Sequence, residues 1–262
     1  MIDIIYLFDS QKSHENLLPL SFTRPVADFR IGITTIKEKW EALFPARCSY
    51  YPVEYLREKY GSGPGTGQQA LFINGSAIPT NGLTEAAASL LPGEAIVDDN
   101  DIIAFRGTTE DLENGIYTIK ECKAEIRRIK YVFDIFLLNA IQINDDFFRI
   151  TSHKDSMPAD STNTIIGPLT DPEGRQMLFV EEGANVCGAT LNLKNGPIYI
   201  GKNAEVMEGA CLRGPLALCE KAKVRMGAKI YGGSTFGPYC KVGGEIDNSV
   251  MFGYSNKAHD GY

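Results

Sequence analysis

From Ile200 the sequence reads IGKNAE VMEGAC LRGPLA LCEKAK VRMGAK IYGGST FGPYCK VGGEID, eight blocks of six that end at Asp247. The first residues of the blocks are Ile200, Val206, Leu212, Leu218, Val224, Ile230, Phe236 and Val242, all apolar. The fifth residues of the first seven are Ala204, Ala210, Leu216, Ala222, Ala228, Ser234 and Cys240, small in every block but one. A period of six fits neither a helix at 3.6 nor an extended strand at 2. It fits a solenoid of short flat strands, three to a coil, with the large aliphatics stacked inward along the axis at the usual ladder distance of about 4.8 Å. The small residue sits where the chain bends inward. Asn203, Gly209, Gly227 and Gly233 hold the fourth position, where a turn calls for positive φ. Val180 and Val186 keep the same spacing, and two extra residues between Asn192 and Ile198 shift the register.

Working outward, the chain has 262 residues, 44% of them apolar, so a core can form. Lys plus Arg number 26 against 33 Asp plus Glu, a net charge of -7. That surface disfavours nucleic acid as a partner. No run of 18 apolar residues is present to span a membrane, and the start reads as a strand rather than a targeting segment. Six cysteines without CxxC or zinc spacing point to reduced thiols and a cytoplasmic setting.

The N-terminal part reads as an α/β domain over 1–150. Ile2 to Phe8 is an apolar strand ending at Asp9. Thr34 or Thr35 caps a helix through Ile36, Lys37, Trp40 and Leu43, with Trp40 in the core or at an interface. Leu71–Asn74, Ala95–Val97, Ile102–Phe105, Ile116–Ile119 and Ile126–Ile129 read as further strands, and Tyr131–Ile141 as a buried helix. Strands alternating with helices predict a mostly parallel sheet with its ligand at the carboxyl ends of the strands, over the Asp9 to Arg30 loop. GSGPGTG at 61–67 lacks the lysine and leading strand of a phosphate loop and reads as a surface loop. Residues 151–177, rich in Pro, Ser, Thr and Asp, read as a linker, and 178–262 as the solenoid. His14 and His153 read as solvated. The solenoid stops at Tyr262 without a cap and reads as C-terminally truncated.

Arg24, Arg30 and Lys39 fall within sixteen residues near a strand end, with Asp28 among them. Such cations grip phosphate oxygens, and Asp28 could orient an arginine or a sugar hydroxyl; a structural salt-bridge network fits the same residues.

The six-residue repeat resembles the hexapeptide-repeat left-handed β-helix of acyltransferases, which implies the handedness, a homotrimer and acyl-CoA bound between subunits. LLPLSFTRPVADFRIG, with Leu18, Pro19, Leu20, Ser21, Arg24 and Pro25, resembles the signature loop of sugar-nucleotide pyrophosphorylases. Together they resemble the bifunctional N-acetylglucosamine-1-phosphate uridyltransferase and glucosamine-1-phosphate acetyltransferase family. The closest likeness is to a divergent bacterial branch carrying the string seen here as Arg24, Pro25, Asp28, Arg30, Gly32, Ile33, Thr35, Ile36, Glu38, Lys39 and Trp40. The resemblance implies a Rossmann-like nucleotidyltransferase domain that joins a nucleoside triphosphate to a sugar 1-phosphate with Mg²⁺. Arg24, Asp28, Arg30, Lys39 and Asp9 are then the substrate-binding candidates. NSVMFGYSNKAHDGY resembles the acetyltransferase segment, with His259 as general base towards a sugar amine, Tyr262 in the sugar site and acetyl-CoA as donor.

The sequence departs from the family at defined places. FDSQKSHEN stands for the glycine-rich loop, Val26 for the lysine after Arg-Pro, Ser76 for a metal-binding Asp and Asp247 for a phosphate-holding lysine. The alternatives are a domain that binds a sugar phosphate or nucleotide sugar without turnover, or a trimeric acyltransferase only. The metal ligands stay unassigned.

Overall fold

The computed structural model describes residues 3–260. Two compact units emerge. The first runs to Phe29 and resumes over Thr35–Asp134; the second holds Arg30–Thr34 and the chain from Ile135 onward.

The first unit is an α/β domain around a six-stranded mixed sheet. Across the sheet the strands are Arg47–Tyr51, Ile4–Phe8, Ala70–Asn74, Asp101–Gly107, Glu94–Asp98 and Thr118–Ile119. The first three run parallel, with Phe8 paired to both Tyr51 and Asn74, so their carboxyl ends finish side by side. Chain order steps from Ile4–Phe8 to one neighbour and then to the other. That is the switch point at which open sheets leave a crevice. Asp101–Gly107 is antiparallel to Ala70–Asn74 and starts at the same end, bringing Asp101 to the crevice. The core carries Ile5, Leu7, Phe72, Ile73, Ile103 and Phe105, each at most 1% exposed. The strand Arg47–Tyr51 (RCSYY) carries no aliphatic residue to mark it, and as an edge strand it needs none. The sheet also departs from the mostly parallel expectation, because Asp101–Gly107 returns as a hairpin partner of Glu94–Asp98.

Thr35 caps the helix Ile36–Leu43. Its hydroxyl accepts from Glu38 N–H while the Glu38 carboxylate accepts from Thr35 N–H, a full capping box. Trp40 is fully buried and donates from Nε1 to the Ala77 carbonyl at 2.8 Å.

The second unit is a left-handed β-helix of three five-stranded parallel sheets. One sheet stacks Leu178–Val180, Ile198–Ile200, Leu216–Leu218, Ser234–Phe236 and Val250–Met251. Leu178 pairs with Ile198, a step of twenty, and Ile198 with Leu216, a step of eighteen, so the two extra residues are real. All eight inward residues of the repeat are buried at 2% or less and join one core cluster. Each such burial stabilises the coil by roughly 1.5–3 kcal/mol. The corner residues Asn203, Gly209, Gly227 and Gly233 all have positive φ, between 55° and 73°.

The stretch 151–177, expected as a linker, contains the first rung of this ladder. Thr164–Ile166 pairs parallel with Thr190–Asn192. Ahead of it, Ser156 Oγ accepts from Val180 N–H, and Asn163 Oδ1 accepts from Ala189 N–H. These polar side chains close the first coil's open edge, which is why the segment is rich in Ser, Thr and Asn.

The helix expected over Tyr131–Ile141 runs instead from Asp134 to Thr151. Its buried face is Ile135, Asn139, Gln142, Ile143, Asp146, Phe147 and Thr151, while Phe136, Leu137 and Ile141 are exposed. The helix expected to be buried leaves several apolar residues outside, because polar residues share its buried face, and two of them, Asn139 and Asp146, bond backbone groups of residues 32–34. Asn139 Oδ1 accepts from Gly32 N–H at 2.7 Å, and its amide donates to the Gly233 carbonyl at 2.7 Å. Asp146 Oδ2 accepts from Ile33 N–H, Thr34 N–H and the Thr34 hydroxyl at 2.8–3.1 Å. Ile33 packs with Ile143, Phe147, Phe179 and Tyr199. Gly32 has a φ of 74°, and a Cβ there would stand 2.6 Å from the Gln142 carbonyl oxygen.

Candidate functional site

Asp9 follows the strand Ile4–Phe8 directly, at the switch point. Its Oδ1 accepts from Val26 N–H at 3.0 Å, which ties the Arg24–Asp28 segment over the strand ends. Gly75, just past Asn74, donates to the Phe8 carbonyl at 2.7 Å. A Cβ on Gly75 would lie 2.9 Å from Ala27 N and 3.1 Å from Asp9 Oδ1, so only glycine lets the two segments close up.

Three tyrosines hold the same loop. Tyr55 donates to the Phe22 carbonyl and Tyr60 to the Thr23 carbonyl, both at 3.1 Å, and Tyr50 donates to Asp28 Oδ1 at 3.3 Å. Burial and the Asp28 charge raise the Tyr50 pKa, so it remains a donor. The sequence signal was available in YYPVEYLREKY (50–60): tyrosines spaced through a polar stretch need partners for their hydroxyls.

Behind the loop, Asn74 and Asp101 form a buried polar network. The Asn74 amide donates to the Ile102 carbonyl at 2.9 Å, and its Oδ1 accepts from the Ser76 hydroxyl at 2.8 Å. Asp101 is 5% exposed and pairs with Arg128 at 2.6 Å. Ser76 is therefore committed to structure.

A cavity of about 560 Å³ opens beside Asp9, lined by Phe8, Asp9, Ser10, Gln11, His14, Glu15, Tyr51–Glu54, Arg57, Asn100–Ile102, Leu112, Glu113 and Tyr117. Arg57 pairs with Glu113 at 3.2 Å and covers the Tyr51 ring at 4.4 Å. Asp9 Oδ2 is buried with no hydrogen-bond partner among the described residues. Burial raises the Asp9 pKa from the ordinary 3.8 to about 7, partly offset by the Val26 N–H.

The folded state holds a proton on Asp9 between about pH 4 and 7 that the unfolded chain has released, so Asp9 costs stability as pH rises through that window and its effect is level above it. Asp9→Asn is expected to gain stability over the parent on going from pH 4 to pH 8, by on the order of a few kcal/mol. Urea unfolding of both proteins at the two pH values measures this; an unchanged difference would contradict the buried carboxyl.

The residues marked in the sequence fall in several places. Asp9 lines the cavity. Arg24 and Asp28 pair at 4.0 Å, each about one-third exposed, on the loop it anchors. Lys39 is only 2% exposed, on the helix Ile36–Leu43. Arg30 belongs to the second unit, where its guanidinium donates to the Ile33 carbonyl and lies 3.7 Å from Cys219 Sγ. His14, expected in solvent, is 9% exposed and lines the cavity.

In the second unit, His259 lines a cavity of about 500 Å³ with Lys223, Arg225, Lys241, Met207 and Met226 among its walls. Lys223 pairs with Glu205 at 2.7 Å. Tyr262 lies outside the described residues. Among the described residues no group of three His, Cys, Asp or Glu could hold a metal, and no helix is long and apolar enough to cross a membrane. A comparison with curated proteins gave no match. Residues 5–155, more than half of the chain, match the family described as sugar nucleotidyl transferase, and the chain belongs to that family.

Proposed function

We propose that the first unit joins a nucleoside triphosphate to a sugar 1-phosphate, in the manner of the N-acetylglucosamine-1-phosphate uridyltransferases. A sugar-phosphate oxygen attacks the α-phosphorus, a new P–O bond forms, and pyrophosphate leaves. The observation that carries this is the buried, unpartnered Asp9 Oδ2 beside a 560 Å³ cavity at the strand ends. Phosphoryl-type transfer relies on positioning and charge neutralisation. Mg²⁺ fits here only in the mode in which one carboxylate and substrate phosphates share it, because among the described residues three protein ligands are not assembled. Asp9 would hold it, and the ion when bound neutralises phosphate charge. Arg24, on the loop that Asp9 ties down and outside the cavity lining, is the proposed cation for phosphate oxygens, with Asp28 paired to it. Arg30 belongs to the second unit and Lys39 is buried on Ile36–Leu43, so neither is given a substrate contact.

Pyrophosphate release across the common triphosphates and sugar 1-phosphates, with Mg²⁺, tests the proposal. Release with one pair supports it; none with any pair overturns it.

The second unit is proposed to acylate a sugar amine, the nitrogen attacking the acetyl carbon while His259 takes the amine proton and CoA leaves as its thiolate, with Arg225 and Lys241 beside His259 for the donor's phosphates. A trimer through the β-helix and a cytoplasmic setting complete this proposal, the latter resting on free cysteines.

A second reading, binding without turnover, is favoured by one observation: Arg57, the arginine of the cavity, is already paired with Glu113. It predicts that a nucleotide sugar raises the melting temperature without being consumed.

A further inference from the structure

Arg57 is the one lysine or arginine among the described residues that line the cavity beside Asp9. It follows the strand Arg47–Tyr51, whose last residue pairs with Phe8 and accepts at its carbonyl from Asp9 N–H at 3.4 Å. Arg57 therefore stands at the same strand ends as Asp9. Two contacts hold its guanidinium independently of any carboxylate. Nε donates to the Pro52 carbonyl at 3.1 Å, and the group covers the Tyr51 ring with its carbon 4.4 Å from the centroid. An Nη then donates to Glu113 Oε1 at 3.2 Å, and the Tyr51 hydroxyl donates to that same oxygen. Burial first, and then the bond to Glu113, push the Tyr51 pKa up to about 12, so the hydroxyl keeps its proton. Glu113 Oε1 thus marks a point where two donors converge, one of them a guanidinium. A phosphate oxygen is the ligand atom such a pair suits best.

Glu113 is the part that can leave. Its side chain is 55% exposed and that of Arg57 31%, and an ion pair this open to water stabilises little. The carboxylate regains its hydration when it turns outward, while Tyr51, 6% exposed, stays under the guanidinium. Hydrogen-bonding capacity does not decide what the cavity holds, because the donors Ser10, Asn100 and Tyr117 line it together with Glu15 and Glu54. Charge does. Asp101 is matched by Arg128 at 2.6 Å, and Asp9 holds its proton to about pH 7, but no lining cation besides Arg57 attracts an anion.

We propose that Arg57 binds a phosphate group of the substrate, and that the Glu113 carboxylate is its internal competitor, which the phosphate displaces to take both donors. This deepens the transferase reading by adding a cation inside the cavity to Arg24 outside its lining. It rests on the cavity being the substrate site and requires binding only, so the Arg57–Glu113 pair is compatible with turnover.

The test is calorimetric binding of uridine triphosphate and of glucose 1-phosphate, each alone with Mg²⁺, to the parent, Glu113→Gln, Arg57→Gln and the double variant. Glu113→Gln is expected to tighten at least one ligand by roughly threefold to tenfold, and Arg57→Gln to weaken the same ligand roughly tenfold. In the Arg57→Gln background the Glu113→Gln gain is expected to vanish. Response with the triphosphate assigns Arg57 to the nucleotide's phosphates, and response with glucose 1-phosphate to the sugar's. Circular dichroism shows whether each variant is folded. If Arg57→Gln is not, Arg57→Lys takes its place, with binding at least about threefold weaker than the parent expected, because an ammonium lacks the fork. An equal Glu113→Gln gain in both backgrounds would make Glu113 a diffuse charge and overturn the competition. Parent-like binding by Arg57→Gln, or no binding of either ligand by the parent and Glu113→Gln, would overturn the assignment. The expected pattern without pyrophosphate release would leave Arg57 standing and remove the transferase activity; pyrophosphate release by Arg57→Gln with the parent's kcat and KM would do the reverse.

Discussion

Asp146→Ala is expected to destabilise the second unit by about 3 kcal/mol, the largest loss foreseen for a single polar residue outside the candidate site. Asp146 is 2% exposed. Its Oδ2 accepts from Ile33 N–H, Thr34 N–H and the Thr34 hydroxyl, and its Oδ1 from Arg149 at 2.6 Å. Alanine leaves the buried Ile33 N–H and the half-buried Thr34 N–H without their acceptor. Arg149 is about one-quarter exposed and can turn to solvent, so Arg149→Ala is expected to cost under about 1 kcal/mol. Chemical unfolding of the two variants measures the contrast. Equal, small losses would mean that the hairpin Arg30–Thr34 is not held through Asp146.

Asp9→Asn is expected to lower nucleotidyl transfer by at least about 100-fold while raising stability at pH 8. The amide keeps an oxygen for Val26 N–H, so the loop stays anchored. It removes the charge that a phosphate-bound cation would need. The opposite signs are the signature: a merely structural carboxylate would lose stability and activity together. The proton held near pH 7 adds a second mark, a rise in the parent's kcat/KM through that pH that the variant lacks. Turnover of the variant within a few-fold of the parent would remove Asp9 from the chemistry.

The β-helix was legible because its inward residues repeat in sequence as they repeat in space, so Val206, Leu212, Leu218 and Val224 announce both core and coil. Its first rung was not, because Thr164–Ile166 sits in a segment whose polar residues cap an edge and so resemble a linker. The candidate site was legible where it depends on chain position. Asp9 ends an apolar strand, and ligands gather at such ends. It was hidden where it depends on tertiary partners. His14 looked solvated in FDSQKSHEN, yet Tyr55, forty-one residues on, covers its ring. Arg30 looked like a phosphate ligand, yet its guanidinium turns to the Ile33 carbonyl and Cys219 of the unit it belongs to. One-dimensional spacing does not separate a cation that meets a ligand from one that meets a backbone carbonyl.

The central claim is the location of the site, at the carboxyl ends of Ile4–Phe8, Arg47–Tyr51 and Ala70–Asn74. Amide hydrogen exchange, with and without a saturating sugar 1-phosphate and uridine triphosphate, tests it most directly. The account predicts slowed exchange at residues 8–15, 24–28, 51–57 and 74–76. Slowing confined to residues 207–260 of the β-helix, with those four segments unchanged, would contradict it.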